Sequence, residues 1–305
     1  MSIILIPAEY TFLKRMTSPD ISTDYGDIDW NEVWKARQDR FDSTTIPGDT
    51  SHDWHKKENA ERYASQSEGG EFEKRIKMTL AGFNVNSSTR VLDIGAGPGT
   101  LAIPLAPLVK EITAVEPGSG MIAALTRRAE ESAITNIRCI QKTWENIDPN
   151  HDLNGKYDLV IASLSLTMHD IREAVLKMDE VCCGEVCLYW FVDMPFWEKM
   201  LADLLMPLHG VQYFHGPKAD CLWNVLFQAG IYANIEMFPL DKEYRFSSKD
   251  EMTGFFRKRF GVVTPKQEKI LDDYLSKLIR KDGSEIFVSG ESKFAKISWK
   301  KEDVP

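Results

Sequence analysis

The chain has 305 residues, 43% of them hydrophobic and 27% charged, which is enough apolar material for a sizeable core and too much for a disordered chain. With 37 Lys+Arg against 46 Asp+Glu it carries a formal charge of −9, which argues against a chain-wide surface for nucleic-acid phosphates. No stretch reaches the ~18–20 uninterrupted apolar residues of a membrane-spanning helix, and the apolar run Ile3 to Ile6 is too short for a signal-peptide core.

Taken in chain order, residues 1–86 read as a polar, aromatic-rich helical lid with turn signals at Pro19, Pro47-Gly48 and Gly69-Gly70. Asp29-Trp30-Asn31-Glu32-Val33-Trp34 opens a helix that places Trp30 and Trp34 on one face. A second helix is expected over 51–65, capped by Ser51 or Asp53, and a third over 71–83. From 87 to 192 strand-like and helix-like runs alternate. Strands fall at 90–94, 111–115, 137–140, 157–162 and 185–192, and helices at 100–109, 121–132 and 171–178. This alternation predicts right-handed βαβ crossovers and an α/β, Rossmann-like, doubly wound, mostly parallel sheet. Beyond 193, two strands (234–238 and 293–299) enclose helices at 249–260 and 265–280. The expected organisation is one nucleotide-binding core over 87–305, preceded by the lid and carrying a second lid inserted at about 193–285.

The most informative residues are Val91-Leu92-Asp93-Ile94-Gly95-Ala96-Gly97-Pro98-Gly99-Thr100. An apolar strand runs into three alternate glycines and then a helix start, whose unpaired N–H groups and positive dipole end suit a nucleotide-like ligand at a parallel sheet's carboxyl edge. The dinucleotide fingerprint fails because its third glycine position falls on Thr100, and no Gly-Lys-Ser/Thr follows to make a Walker loop. Asp93 stands just before the turn, where a carboxylate repels pyrophosphate and favours an ammonium or sulfonium group. The next strand ends Val115-Glu116-Pro117-Gly118, and Glu116 follows Asp93 at close to the ~20-residue separation of a ribose clamp. Its carboxylate accepts both ribose hydroxyl hydrogens.

Together these residues resemble class I S-adenosylmethionine-dependent methyltransferases, a likeness that extends over most of the chain from Glu71 to Lys300. Asp93-Ile94-Gly95-Ala96-Gly97-Pro98-Gly99 is similar to that family's first motif and Glu116 to its acidic second motif. The resemblance implies S-adenosyl-L-methionine as cofactor, held by Asp93, Gly95, Ala96, Gly97, Gly99, Thr100, Glu116 and Pro117, with Met121 against adenine. Gln141-Lys142-Thr143-Trp144-Glu145-Asn146-Ile147 is similar to the adenine-edging loop. The family's Gly-Asp is replaced there by Lys142-Thr143, which makes Thr143 and Trp144 the implied stand-ins. Tyr157 to Ser163 is similar to the fourth-strand motif, so Ser163 would face the transferable methyl. The blocks Asp29 to Trp34 and Phe294-Ala295-Lys296-Ile297-Ser298-Trp299-Lys300 resemble a poorly characterised branch of the same enzymes, which brings no substrate with it.

Other residues leave two readings each. His169 follows the fourth strand, where an imidazole could deprotonate a nucleophile, or it is simply the residue before the helix cap Asp170. Cys182, Cys183 and Cys187 have no Cys or His pair at zinc spacing, so no metal is expected and these three read as buried structural cysteines with Gly184 as a turn, while all five cysteines read as reduced thiols of a cytoplasmic protein. Trp30, Trp34, Trp54 and Tyr63 form either an aromatic lid or core packing, and Tyr63 and Tyr213 are taken as substrate residues. The expected activity is methyl transfer to a small-molecule acceptor, with a protein side chain as the other acceptor class. The rival readings are a non-catalytic cofactor-binding regulator or partner-binding module and, disfavoured by Asp93 and Thr100, a nicotinamide oxidoreductase.

Overall fold

The computed structural model describes residues 28–44, 53–66, 70–283 and 285–301. The readings that fall on Ile3 to Ile6, Pro19, Pro47-Gly48, Ser51 and Gly69 lie outside them. Five parallel strands form the centre: β1 (Arg90–Ile94), β2 (Glu111–Val115), β3 (Ile137–Ile140), β4 (Tyr157–Ser163) and β5 (Cys182–Phe191). The late strands β6 (Asn234–Pro239) and β10 (Lys293–Lys300) extend the sheet, β10 running antiparallel between β5 and β6, giving the order β3-β2-β1-β4-β5-β10-β6.

Alternate residues of each central strand enter two different cores, which is why the strands read as nearly continuous apolar runs. Leu92, Ile94, Val160, Ala162, Val186 and Leu188 face α1 (Trp30–Asp42), α7 (Ile171–Val181) and α9 (Ala219–Gln228). Val91, Leu159, Ile161, Cys187 and Tyr189 face the other way, towards Ile76 of α3 (Gly70–Ala81) and Ala102 and Leu105 of α4 (Ala102–Leu105). Trp34 is fully buried against Trp190, with its indole N–H donated to the Met168 carbonyl at 2.9 Å, so the amino-terminal tryptophan is core rather than lid. The remaining elements over the first sheet are α2 (Lys57–Gln66), α5 (Ser119–Glu131) and the short α6 (Pro149–Asp152).

The structure departs from the sequence expectations at several points. The helix foreseen over 100–109 is only the one turn of α4 followed by a 3-10 turn at Ala106–Leu108, because Pro104 and Pro107 remove N–H donors. Gly184 is not a turn. It lies inside β5, where a Cβ would meet the Asp158 carbonyl at 2.2 Å. Cys183 is exposed, its thiol near the Tyr157 carbonyl, whereas Cys182, Cys187 and Cys221 are buried.

The helix foreseen to residue 280 ends earlier, as α11 (Pro265–Leu275), and β8 (Ile279–Asp282) follows. It turns at Gly283, with φ +58°, into β9 (Glu285–Gly290), and β7 (Lys242–Phe246) completes a three-stranded antiparallel sheet, β7-β9-β8. That sheet, α10 (Lys249–Arg259), α11 and α8 (Phe196–His209) share a third core built on Met200, Leu204, Phe256 and Val288. Among the described residues no helix is long and apolar enough to cross a membrane.

Candidate cofactor and active site

The strand order reverses between β1 and β4, and at such a switch point the loops diverge and leave a crevice beyond the strands' carboxyl ends. The glycine loop sits there. Gly95, Gly97 and Gly99 all have positive φ (69°, 55° and 80°). At Gly95 a side chain is doubly excluded, since its Cβ would stand 2.3 Å from that of Ser165. Ser165 in turn donates its hydroxyl to the Ile94 carbonyl at 2.6 Å, so the segment after β4 is pinned against the loop. At Gly97 nothing among the described residues lies within 4 Å of where a Cβ would be, which leaves room for a ligand.

Two carboxylates frame that room. The Glu116 carboxylate accepts the Gly97 N–H at 2.9 Å through Oε2 and the Gly118 N–H at 2.8 Å through Oε1, which ties the end of β2 to the loop. Burial pushes its pKa up, against those two N–H groups. Asp93 is 2% exposed, and its Oδ2 is buried with no hydrogen-bond partner among the described residues. Burial, reinforced by Glu116, pushes its pKa up to about 7. The Thr100 hydroxyl is likewise buried without a partner among them. A folded chain rarely leaves such groups unsatisfied, and a ligand site is one standing explanation. The donor set suits a group that is cationic near Asp93 and carries vicinal hydroxyls near Glu116, which is the pattern of S-adenosylmethionine.

The structure thus gathers Asp93, Gly95, Ala96, Gly97, Gly99, Thr100, Glu116 and Pro117 at one crevice, with Ser163 beside it at the end of β4. Met121 lies on α5 just beyond Gly118, only 4% exposed, packed with Ala60, Ala124, Trp54 and Tyr63. Tyr63 therefore stands on the cofactor side. Thr143 is half-buried at the turn after β3, but Trp144 departs from the expectation: its ring is 2% exposed in the main core and donates its N–H to the Ala174 carbonyl at 3.0 Å.

Two sequence candidates lie elsewhere. His169 is exposed, with Nε2 2.9 Å from Asp39 of α1. Tyr213 stands between α8 and α9, its hydroxyl buried without a hydrogen-bond partner among the described residues and its pKa raised by burial and then by Glu198. Sequence reasoning missed three neighbours. Arg75 of α3 is 5% exposed and donates to the Ser163 hydroxyl at 3.2 Å. Glu198 and Lys218 form a buried ion pair at 2.8 and 3.0 Å, with the ammonium 5.6 Å from the centre of the Phe191 ring at the end of β5. Nothing in a single sequence separates Arg75 from the adjacent Lys74, or pairs residues from two different helix ends.

Comparison with known proteins bears on the same crevice. Residues 91–183 match a family model described as a methyltransferase domain, which spans the glycine loop, Glu116 and β4. The match supports a class I, S-adenosylmethionine-dependent methyltransferase reading of these residues. An uncharacterized protein of Haemophilus influenzae is 24% identical over 221 residues, 72% of this chain and 79% of that protein. The uncharacterized methyltransferase YcgJ of Bacillus subtilis is 28% identical over 124 residues, 40% of this chain and 47% of YcgJ. Its crystal structure shares the fold, with a TM-score of 0.53 and 17% identity over 76% of this chain and 99% of that one. Ribosomal RNA small subunit methyltransferase A of Desulforapulum autotrophicum is 32% identical over 104 residues, 34% of this chain and 35% of that protein. The chain thus spans between a third and a half of these two named relatives by sequence.

Proposed function

We propose that this chain binds S-adenosylmethionine through Asp93, the loop 95–100 and Glu116, and that it methylates a small molecule held beyond the carboxyl ends of β4 and β5. The buried Asp93 carboxylate carries the reading, its Oδ2 lacking a partner among the described residues beside the open space at Gly97. When bound, the cofactor supplies an electrophilic methyl group on a sulfonium. The chain's own residues bind and position. Glu116 takes the ribose hydroxyls, Asp93 offsets the positive charge, and Ser163, fixed by Arg75, marks the methyl-facing end of β4. Excluding water while holding the acceptor in line supplies much of the rate enhancement, and an acceptor that arrives deprotonated needs no base.

A small acceptor is supported by the far side of the site. Phe191 packs edge-on against Trp197 at 5.8 Å, with the Lys218 ammonium over its ring, and Glu198, which holds that ammonium, also acts on the Tyr213 hydroxyl: aromatic rings with a few polar groups. The −9 net charge agrees with it. Calorimetry with S-adenosylmethionine and S-adenosylhomocysteine tests the reading. Binding is expected in the parent, weakened about 100-fold in Glu116→Ala, since two hydrogen bonds to a charged group are lost. Absence of heat with either compound would sink it. Release of S-adenosylhomocysteine in the presence of candidate acceptors separates an enzyme from a cofactor-binding regulator.

A further inference from the structure

Residues 53–66 precede the nucleotide-binding core in sequence yet lie directly on its cofactor end. An ideal Cβ at Gly120 would stand 2.9 Å from the carbonyl oxygens of Trp54 and Lys56 and 3.0 Å from that of His55. One at Gly118 would stand 2.9 Å from both the Trp54 carbonyl and Glu116 Oε1. These neighbours are mostly backbone and cannot swing aside, so the two glycines form a seat on which three consecutive carbonyls rest. The seat is the amino end of α5, where the helix dipole is positive and favours the negative ends of carbonyl groups. It begins two residues after the ribose clamp Glu116.

The side chains of the segment follow the same direction. His55 Nδ1 accepts the Ser119 N–H at 3.3 Å, which ties the ring to the amino end of α5. Trp54 and Tyr63 meet edge-to-face at 5.6 Å and, with Ala60, cover Met121 and Ala124. That cluster is separate from both sheet cores and, among the described residues, contains only three buried ones, so lifting it costs far less than opening the sheet. Burial raises the Tyr63 pKa, with smaller opposing influences from Arg75 and Glu116.

We propose that segment 53–66 completes the cofactor site, with Trp54, His55 and Tyr63 as binding residues on the adenosine side, and that seating of the segment and occupancy of the site are coupled. This rests on the cofactor reading above. A nucleoside entering between Glu116 and Met121 meets the face that Trp54 and Tyr63 now cover. It must lie under these rings or displace them, and in either case the two equilibria are linked.

The test is amide hydrogen exchange on the full chain with and without S-adenosylhomocysteine, together with calorimetry on Trp54→Ala and Gly120→Ala. The expected result is slowing of exchange across 53–66 by about tenfold or more, with S-adenosylhomocysteine bound about tenfold more weakly by both variants. If Gly120→Ala does not fold, the parent's exchange pattern and Trp54→Ala decide alone. Protection confined to 95–100 and 116–121, with Trp54→Ala binding as the parent does, overturns the coupling and leaves the cofactor reading standing. A parent that binds no S-adenosylhomocysteine removes that reading itself, and this inference with it.

Discussion

The two sides of the crevice are built by different means. Around β1 and β2 the site is made of backbone and of side chains close in sequence: three glycines with positive φ, Asp93 at the strand end, and Glu116 bound to two loop N–H groups. Beyond β5 the proposed acceptor wall is assembled from distant pieces: Glu198 from the start of α8, Tyr213 from the following connection, Lys218 from before α9, and Phe191 from the strand itself. In the proposed reading the first side takes the cofactor, which calls for fixed backbone geometry, and the second takes the acceptor, a task that side chains on inserted elements suit.

The largest expected effect tests how rigid the first side is. Gly95→Ala forces a methyl group into Ser165 at a position with φ +69°, and the expected loss is about 4 kcal/mol or more of stability in urea denaturation. A loss under about 1 kcal/mol would mean that the loop yields, and the contrast with the acceptor side would fail.

Next comes the acceptor side. Lys218→Met leaves the Glu198 carboxylate buried and uncompensated, with an expected cost of about 3 kcal/mol. The double variant Lys218→Met with Glu198→Leu should recover most of it while leaving S-adenosylhomocysteine binding unchanged. A double variant that loses cofactor affinity would show that the two sides are not separate.

The third effect is a pH dependence confined to the cofactor side. Asp93 has a folded pKa of about 7 against an ordinary 3.8, from burial first and Glu116 second. The folded state therefore holds the proton more tightly than the unfolded one. Its contribution to stability is full below pH 4, falls as pH rises towards 7, and is flat above. Between pH 5.5 and 7 the fall amounts to about 2 kcal/mol, and it should vanish in Asp93→Asn. Binding of the cationic S-adenosylmethionine requires the ionised carboxylate, so its affinity should rise through the same window, while that of S-adenosylhomocysteine, which lacks the sulfonium, should change much less. Equal pH profiles for the two ligands would remove Asp93 from its place beside the sulfonium.

The same contrast explains what the sequence disclosed. β1, β2 and β3 were legible to the residue because apolar runs bounded by turn signals have few alternatives, and the glycine loop because its function requires glycine itself. The second sheet was not. β7 is Lys242-Glu243-Tyr244-Arg245-Phe246, five residues with three charges, whose apolar pair becomes a core only once α8 and α10 are in place. α8 carries Pro207 in its last turn and apolar residues on most faces, so neither period nor caps announced it. Trp144 was misplaced because its position after β3 fitted a cofactor edge, while its indole found a partner in the Ala174 carbonyl of α7, a long-range contact that local pattern does not carry.

The smallest expected effect concerns a residue that lies on neither wall. His169 and Asp39 are 2.9 Å apart, but their side chains are 57% and 67% exposed, so water competes for both charges and holding two side chains in one geometry costs entropy. His169→Ala should change stability by less than about 1 kcal/mol and leave the affinity for S-adenosylhomocysteine as in the parent. The pair nevertheless bridges α1 to the connection between β4 and α7, close in sequence to Ser163. Once an acceptor is in hand, the pH profile of S-adenosylhomocysteine release in His169→Ala distinguishes two roles. A lost acidic limb with unchanged cofactor affinity would make His169 the base and extend the acceptor wall outward to α1. An unchanged profile would leave it a surface pair and confine that wall to Phe191, Glu198, Tyr213 and Lys218.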